Sequence, residues 1–217
     1  MIKIVHVNGY SLAENPHQSG VVDHEGDAKE VRFRDWEHVC WGDPEKGLLG
    51  RIPTALRLAR DINATKIVWS TGASRLGNSQ WEADVMFDRA LHSYERLIKD
   101  FPDDFGPRWF TKRCYRQYLE RTRVSDIESI NTLTSLQWLR GYIRHNFNRG
   151  ELVQVYSVTS ANHCPRTMRD IAIAFGYGTG ARPDQYWGRT TVSVWPALTC
   201  YGDRTIYQVV IKELGVD

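Results

Sequence analysis

The sequence of 217 residues lacks several features that assign a protein to a class. Its four cysteines stand far apart, and no pairing of cysteine with histidine has the spacing of a zinc site. No apolar run approaches the length of a membrane-spanning helix, and the first residues, MIKIVHVNGY, have neither the basic start nor the apolar stretch of a signal peptide. We therefore expect a cytoplasmic protein with free thiols.

A strong charge and the familiar catalytic motifs are also missing. The formal net charge is only +2, and the basic residues are spread along the chain, so nucleic acid or a membrane is not an expected partner. There is no Walker loop, G-x-G-x-x-G, G-x-S-x-G or H-E-x-x-H motif. Asp23, His24 and Glu25 are potential metal ligands, but adjacent side chains diverge, and no metal site is predicted. No motif therefore names a reaction.

What the sequence does contain is an alternation of β-branched runs with amphipathic segments. Hydrophobic residues make up 41% of the chain, which suits a single domain over residues 1–217. The alternation predicts a Rossmann-like three-layer α/β sandwich with a mostly parallel sheet. Strands are predicted at 2–7, 28–36, 64–71, 123–128, 151–160 and 190–197, and helices at 51–62, 79–101, 108–122, 131–147, 165–176 and 202–215.

Some of the predicted helices carry further signals. Ser79 and Glu82 have the spacing of a capping box at the start of the helix predicted at 79–101. Residues 91–123 are predicted to form a helical insertion, since proline and glycine interrupt the pattern near its middle. The charged side of its basic helix is interpreted as a solvated face. In the helix at 165–176, Met168 is expected to lie on the inward apolar stripe.

Small and polar residues end four of the predicted strands. They are Asn8, Gly9, Ser70, Thr71, Gly72, Glu128, Ser129, Thr159 and Ser160. The carboxyl ends of parallel strands share one edge, where open α/β sheets bind their ligands. Backbone N–H groups at such ends approach anions closely, and helix N-termini add favourable partial charge. We therefore expect a ligand crevice at this edge.

Other polar side chains near these ends have two interpretations each. Glu128, followed by Asn131 and Thr132, is a functional candidate or the partner of Ser125 in a helix cap. His163 and Arg166, three residues apart at a predicted helix start, either grip one anion or are an ordinary loop histidine and a surface arginine. Cys164, between them, is expected to be a small buried side chain.

The order of several motifs points to a family. The motifs are IVHVNG in the first strand; Arg51, Ala55 and Leu58 in the first helix; WSTG, Glu82-Ala83 and Met86; ESINT from Glu128 to Thr132; and Thr159, Ser160, His163 and Arg166. In this order the sequence resembles the YdcF-like family, the group that includes SanA and ElyC. It departs from the pattern at Thr71, where glycine is usual, and at Ser135, where asparagine is usual.

This resemblance implies a Rossmann-like core with a crevice for a nucleotide-like ligand, S-adenosylmethionine among the candidates, but it supplies no reaction. Our first hypothesis is an enzyme that hydrolyses a nucleotide-like or phosphorylated molecule or transfers a group from it. Glu128 and Glu82 would then be the acid and base, and His163 and Arg166 would neutralise charge. The alternative is a binding module without turnover. A nucleic-acid binder that uses the helix at 108–123 is a third, less favoured hypothesis.

Overall fold

The structure is a computed structural model that describes residues 1–10, 36–70, 81–106, 111–148, 150–176 and 190–197. The predicted helix at 202–215 lies outside these residues, as does all but the last residue of the strand predicted at 28–36. Residues 36–40 are helical. None of the helices in the described part combines the length and the apolar character that a bilayer crossing requires.

The centre of the fold is a sheet of five strands in the order β5-β4-β1-β6-β7. Every neighbouring pair in it is parallel. A separate antiparallel pair, β2 and β3, precedes the first long helix. The strands are β1 (Ile2–Val7), β2 (Gly42–Asp43), β3 (Leu48–Leu49), β4 (Lys66–Trp69), β5 (Arg123–Ser125), β6 (Val153–Ser160) and β7 (Thr190–Ala197).

Helices cover both faces of the sheet, as the alternation of the sequence predicts. They are α1 (Arg51–Asp61), α2 (Glu82–His92), α3 (Tyr94–Asp100), α4 (Lys112–Thr122), α5 (Thr132–Asn146) and α6 (Cys164–Phe175). Because successive side chains of a strand point to opposite faces, Val5 and Val7 pack with α1 and α2, whereas Ile4 packs with α5 and α6. The predicted Rossmann-like three-layer α/β fold is confirmed.

The long helix predicted at 79–101 is not continuous. It is broken at Ser93, whose φ of −108° and ψ of 28° are not helical, and α3 begins at the next residue. The break allows α3 to dock on residue 41: the Trp41 indole N–H donates to Asp100 at 2.8 Å, and the Arg96 guanidinium lies 4.6 Å from the Trp41 ring centre. These contacts link residues that are far apart in the chain, so local periodicity does not predict the break.

The basic helix of the predicted insertion, α4, packs against the same core as α1 and α2. Tyr115, Tyr118 and Leu119 are buried there, which accounts for its apolar stripe. Lys112 and Arg116 on its exposed side form ion pairs with carboxylates. These two basic residues of α4 therefore take part in ordinary surface ion pairs.

Helix α6 starts one residue earlier than predicted and ends at Gly176, whose φ of 78° favours glycine. The inward position predicted for Met168 is wrong, because its side chain is 48% exposed. The buried stripe of α6 includes Thr167, Ile171 and Ala174, and Met168 lies one residue outside it.

Candidate functional site

The carboxyl ends of β1, β4, β5 and β6 lie at one edge of the sheet. Just past three of these strands the backbone continues the hydrogen-bond ladder: the N–H of Asn8 donates to β6, that of Ser70 to β1 and that of Asp126 to β4, over 2.8–3.1 Å. The N–H groups of Asn8 and Ser70 are therefore used by the sheet and do not project toward a ligand. The side chains carry the chemistry of this edge.

The strand order predicts a ligand crevice between β1 and β6. The chain leaves β1 toward β4 by way of α1, on one face, and leaves β6 toward β7 by way of α6, on the other face. In doubly wound sheets ligands bind at the carboxyl ends of the strands where the order reverses in this way. Asn8 directly follows β1, and Ser160 is the last residue of β6.

A fully buried histidine, His6, joins three strands and a helix beneath this crevice. Its Nδ1 lies 3.0 Å from the Ser157 hydroxyl of β6. Its Nε2 lies 3.0 Å from the hydroxyl of Ser70 and 2.8 Å from that of Ser135 on α5. Burial lowers the pKa of His6 to about 3, so the imidazole is neutral at neutral pH.

The direction of two hydrogen bonds in this network is defined by their groups. At one end the Asn8 amide donates to the Ser157 hydroxyl at 2.9 Å, and at the other the Ser70 hydroxyl donates to Asp126 at 3.2 Å. The Ser157 hydroxyl can then donate to Nδ1 of His6 in the tautomer whose ring proton lies on Nε2, facing the hydroxyls of Ser70 and Ser135. Every member of the network is buried.

Asp126 is the buried carboxylate at the end of β5, the position at which the sequence predicts Glu128. The strand ends at Ser125 rather than at residue 128. Asp126 accepts hydrogen bonds from the backbone N–H groups of Glu128, at 3.2 Å, and Ser129, at 3.1 Å. The turn leaves Glu128 exposed and buries Ser129, whose hydroxyl finds no hydrogen-bond partner in the described part of the chain.

Arg51, the first residue of α1, is a buried cation at the crevice; only 1% of it is exposed. Its Nε–H donates to the Ser160 hydroxyl at 2.9 Å, and its Nη1 donates to the carbonyl groups of Asn8, at 2.9 Å, and Gly9. Its Nη2 is buried and has no hydrogen-bond partner among the residues that the structure describes. On the planar guanidinium Nη2 shares an edge with Nε, so one of its N–H groups lies on the side of Ser160, at the end of β6.

Glu82, the first residue of α2, is fully buried on the same face as Arg51. Its Oε1 accepts the backbone N–H of Tyr10 at 2.6 Å and the indole N–H of Trp36 at 2.9 Å. The helix begins directly at Glu82 after Trp81, which makes no side-chain cap. Glu82 is therefore in the first position of the helix and not in the third, where a capping box requires it. Ser79 lies outside the described residues.

His163 and Arg166 follow β6 and differ in environment. His163 is half-buried, and its pKa is lowered to about 4 by burial, with Arg51 and Arg166 adding to the shift. It is therefore neutral near pH 7 and does not neutralise an anion by charge. Arg166 is 55% exposed and lies 3.7 Å from Asp170, one turn further along α6. The cation buried at the crevice is therefore Arg51 and not Arg166.

The remaining residues predicted for the site are spread along the same edge. Thr159 is buried in β6. Asn131 is the N-cap of α5 and accepts the N–H of Thr134, and Thr132 begins that helix. Thr71 and Gly72 lie outside the described residues, and Asp23 to Glu25 do as well. The assignment of these residues to a ligand stays a prediction.

Cys164 is buried, as the sequence predicts. Its thiol lies 3.6 Å from the Ser160 carbonyl oxygen. Burial raises the pKa of the thiol to about 12, against a partial lowering by Arg51. A thiol that stays protonated is a poor nucleophile, so Cys164 is part of the packing beneath the crevice.

The sequence pattern missed His6, Asp126 and Ser157 as members of one network, and it gave Arg51 no role at the site. A signal for His6 was present, because a histidine inside IVHV interrupts a strand that is apolar on both faces. Arg51 offers a weaker signal: a charged residue opens a helix whose next five residues are all buried. Its contacts, just past β1 and in β6, are 42 to 109 positions away and cannot be found from local patterns.

Within the part of the chain that the structure describes, no group of three or more acidic, histidine or cysteine side chains is arranged to hold a metal ion. The groups suited to a cofactor or substrate are instead the guanidinium of Arg51 and the polar ends of β1 and β6. No family model matches the sequence, and neither the curated proteins nor the solved structures contain a match.

Proposed function

We propose that the protein binds a nucleotide-like or phosphorylated small molecule at the carboxyl edge of its sheet, over β1 and β6. The observation that carries the proposal is the unpartnered Nη2 of Arg51. A buried donor without an acceptor costs about 1–3 kcal/mol, and more when the group is charged. An anionic group of a ligand beside Ser160 would supply the missing acceptor and offset that cost.

The strand order and the family resemblance support the same ligand class. Nucleotide ligands of doubly wound sheets bind where the strand order reverses, and this is where Arg51 lies. We propose that the chain belongs to the YdcF-like family. The sequence pattern of that family includes an arginine at this position, and the resemblance makes S-adenosylmethionine a candidate ligand. A binding module of this kind requires no catalytic group.

Hydrolysis or group transfer at the same site is the second candidate. It is favoured by His163, whose neutral imidazole lies within electrostatic reach of Arg51 and has the protonation state that a general base needs. A pKa of about 4 makes it a weak base, however, and the exposed Glu128 does not provide the buried carboxylate that the sequence predicts at the strand end. Binding is therefore the better supported function.

The test of binding is a titration calorimetry screen of nucleosides, nucleotides and S-adenosylmethionine on the wild-type chain and on Arg51→Lys. Lysine keeps the charge but lacks the planar fork, so we expect affinity to fall about tenfold or more. The matched control is Arg57→Lys on the same helix, where the guanidinium pairs with Asp104. Equal losses in the two variants would contradict the assignment, and so would binding that Arg51→Lys leaves unchanged.

Turnover is measured on whichever compound binds, by chromatography of the products from the wild-type chain and from His163→Asn. Product formed by the wild type and reduced by about a hundredfold or more in His163→Asn would favour catalysis with His163 as base. Binding with no product in either protein would leave the binding module as the function. Product formed equally by both would exclude His163 from the mechanism.

A further inference from the structure

The N-terminus of α1 is the place where a pyrophosphate rests in dinucleotide-binding folds of this strand order. In this protein its own backbone closes that place. The N–H of Gly50, the N-cap, donates to the Trp41 carbonyl at 2.9 Å. A Cβ added to Gly50 would lie 2.5 Å from the carbonyl carbon of Trp41 and 2.7 Å from that of Cys40.

The first turn of α1 also has fewer donors than a phosphate-binding helix needs. Pro53, its third residue, has no N–H group, and the N–H of Thr54 already donates to Gly50 at 3.0 Å. The side chains of the first turn are all buried. As far as the described residues go, a phosphate chain therefore has no open approach to the helix N-terminus, and the charge at this point comes from the guanidinium of Arg51.

The charge available near Arg51 is small. The guanidinium interacts electrostatically with one carboxylate, that of Glu82. His163 is neutral near pH 7, and Arg166, which also acts on His163, is exposed and lies 3.7 Å from Asp170. Among the described residues, the free donors of the buried guanidinium are those of its Nη2. One donor nitrogen can bind one terminal anionic group but not a chain of phosphates.

We propose that the ligand of this site is a nucleoside with one terminal anionic group, a carboxylate or a single phosphate, held by Arg51, and that dinucleotides and nucleoside polyphosphates are disfavoured. This inference rests on the proposed function and narrows it. It predicts that nucleosides with one anionic group bind and that dinucleotides and polyphosphates bind more weakly. The fold alone does not make this distinction.

The test is calorimetry on the wild-type chain in a buffer free of phosphate and magnesium. The probes are each common nucleoside, its 5′-mono-, di- and triphosphate, NAD⁺ and S-adenosylhomocysteine, whose anionic group is a carboxylate. For the base that binds, we expect one anionic group to raise affinity about tenfold over the nucleoside. A second or third phosphate should add nothing or weaken binding.

Three outcomes would overturn the inference in distinguishable ways. Diphosphates or NAD⁺ that bind about tenfold more tightly than the monophosphate would refute it and leave the proposed function intact. A nucleoside that binds as tightly as its monophosphate would remove the anionic group from recognition. Binding of none of the probes would contradict the proposed function itself. The comparison uses the wild-type chain alone and does not depend on the folding of a variant.

Arg51→Lys provides a second measurement, with Arg57→Lys as its control. We expect Arg51→Lys to reduce the preference for the monophosphate, or for S-adenosylhomocysteine, over the nucleoside to about twofold or less. The parent nucleoside serves as the reference within each variant, so a general loss of stability cannot imitate this change. A preference that persists in Arg51→Lys would contradict the role of Arg51.

Discussion

The buried histidine at the centre of the sheet makes the protein sensitive to acid in a way that can be measured. His6 has a folded-state pKa of about 3, against an ordinary value of 6.5, because burial disfavours its charged form. Between these two values the unfolded chain binds a proton that the folded chain does not. The contribution of His6 to stability is therefore complete above pH 6.5 and falls as the pH drops toward 3.

The magnitude follows from the shift. Each pH unit below 6.5 removes about 1.4 kcal/mol until the folded value is reached, so at pH 4.5 the loss is about 2.7 kcal/mol. We propose His6→Asn as the perturbation, because an amide still accepts and donates hydrogen bonds but does not titrate. The variant should be less stable than the wild type at pH 7.5 by about 1–3 kcal/mol, because the amide replaces the hydrogen bonds of the imidazole imperfectly.

The assay is urea unfolding at pH 7.5, 6.5, 5.5 and 4.5, followed by the fluorescence of the eight tryptophans. Carboxylates titrate in both proteins, so only the difference between wild type and variant reports on His6. The advantage of the wild type over the variant should fall by about 2.7 kcal/mol between pH 7.5 and 4.5. The matched control is the same substitution at an exposed position of α5, His145→Asn. A difference that is independent of pH would refute the neutral, buried state of His6.

Three further substitutions test the packing of the fold by urea unfolding. Gly50→Ala places a Cβ against the backbone of Trp41 and should destabilise the fold by about 1–3 kcal/mol. Gly141→Ala, in an open position of α5, should instead stabilise it by up to about 1 kcal/mol. Equal effects of the two substitutions on stability would show that Gly50 is not confined. Tyr115→Phe removes a buried hydroxyl that donates to Ala90 at 2.6 Å and should cost about 1 kcal/mol. An unchanged midpoint for Tyr115→Phe would mean that this hydrogen bond adds nothing net.

Much of the fold could be predicted from the sequence because its periodicity is local. The bounds predicted for β1 and β7 are those observed, and α1 differs by one residue at its end. The end of β5 could not be predicted, because it is set by its partner: β4 ends at Trp69, which pairs with Ser125. That pairing leaves Asp126, and not Glu128, as the first residue past the strand.

The candidate site was predictable as a location but not in its chemistry. Parallel strands bring their carboxyl ends to one edge whatever their sequence, so the position of the crevice follows from the fold. The partners of Arg51 and His6 are fixed by register and by helix docking across the whole chain. A pattern read along the chain therefore predicted His163 and Arg166, which are neighbours in sequence, and missed Arg51, which approaches Ser160 from another element.

The most direct test of binding at Arg51 is a crystal structure of the protein with the compound that binds most tightly in the calorimetric screen. We expect an anionic oxygen of that ligand within about 3.2 Å of Nη2 of Arg51, next to the Ser160 hydroxyl. A ligand seated at another edge of the sheet would contradict the account, and so would an Nη2 that donates to a protein group while the ligand is bound.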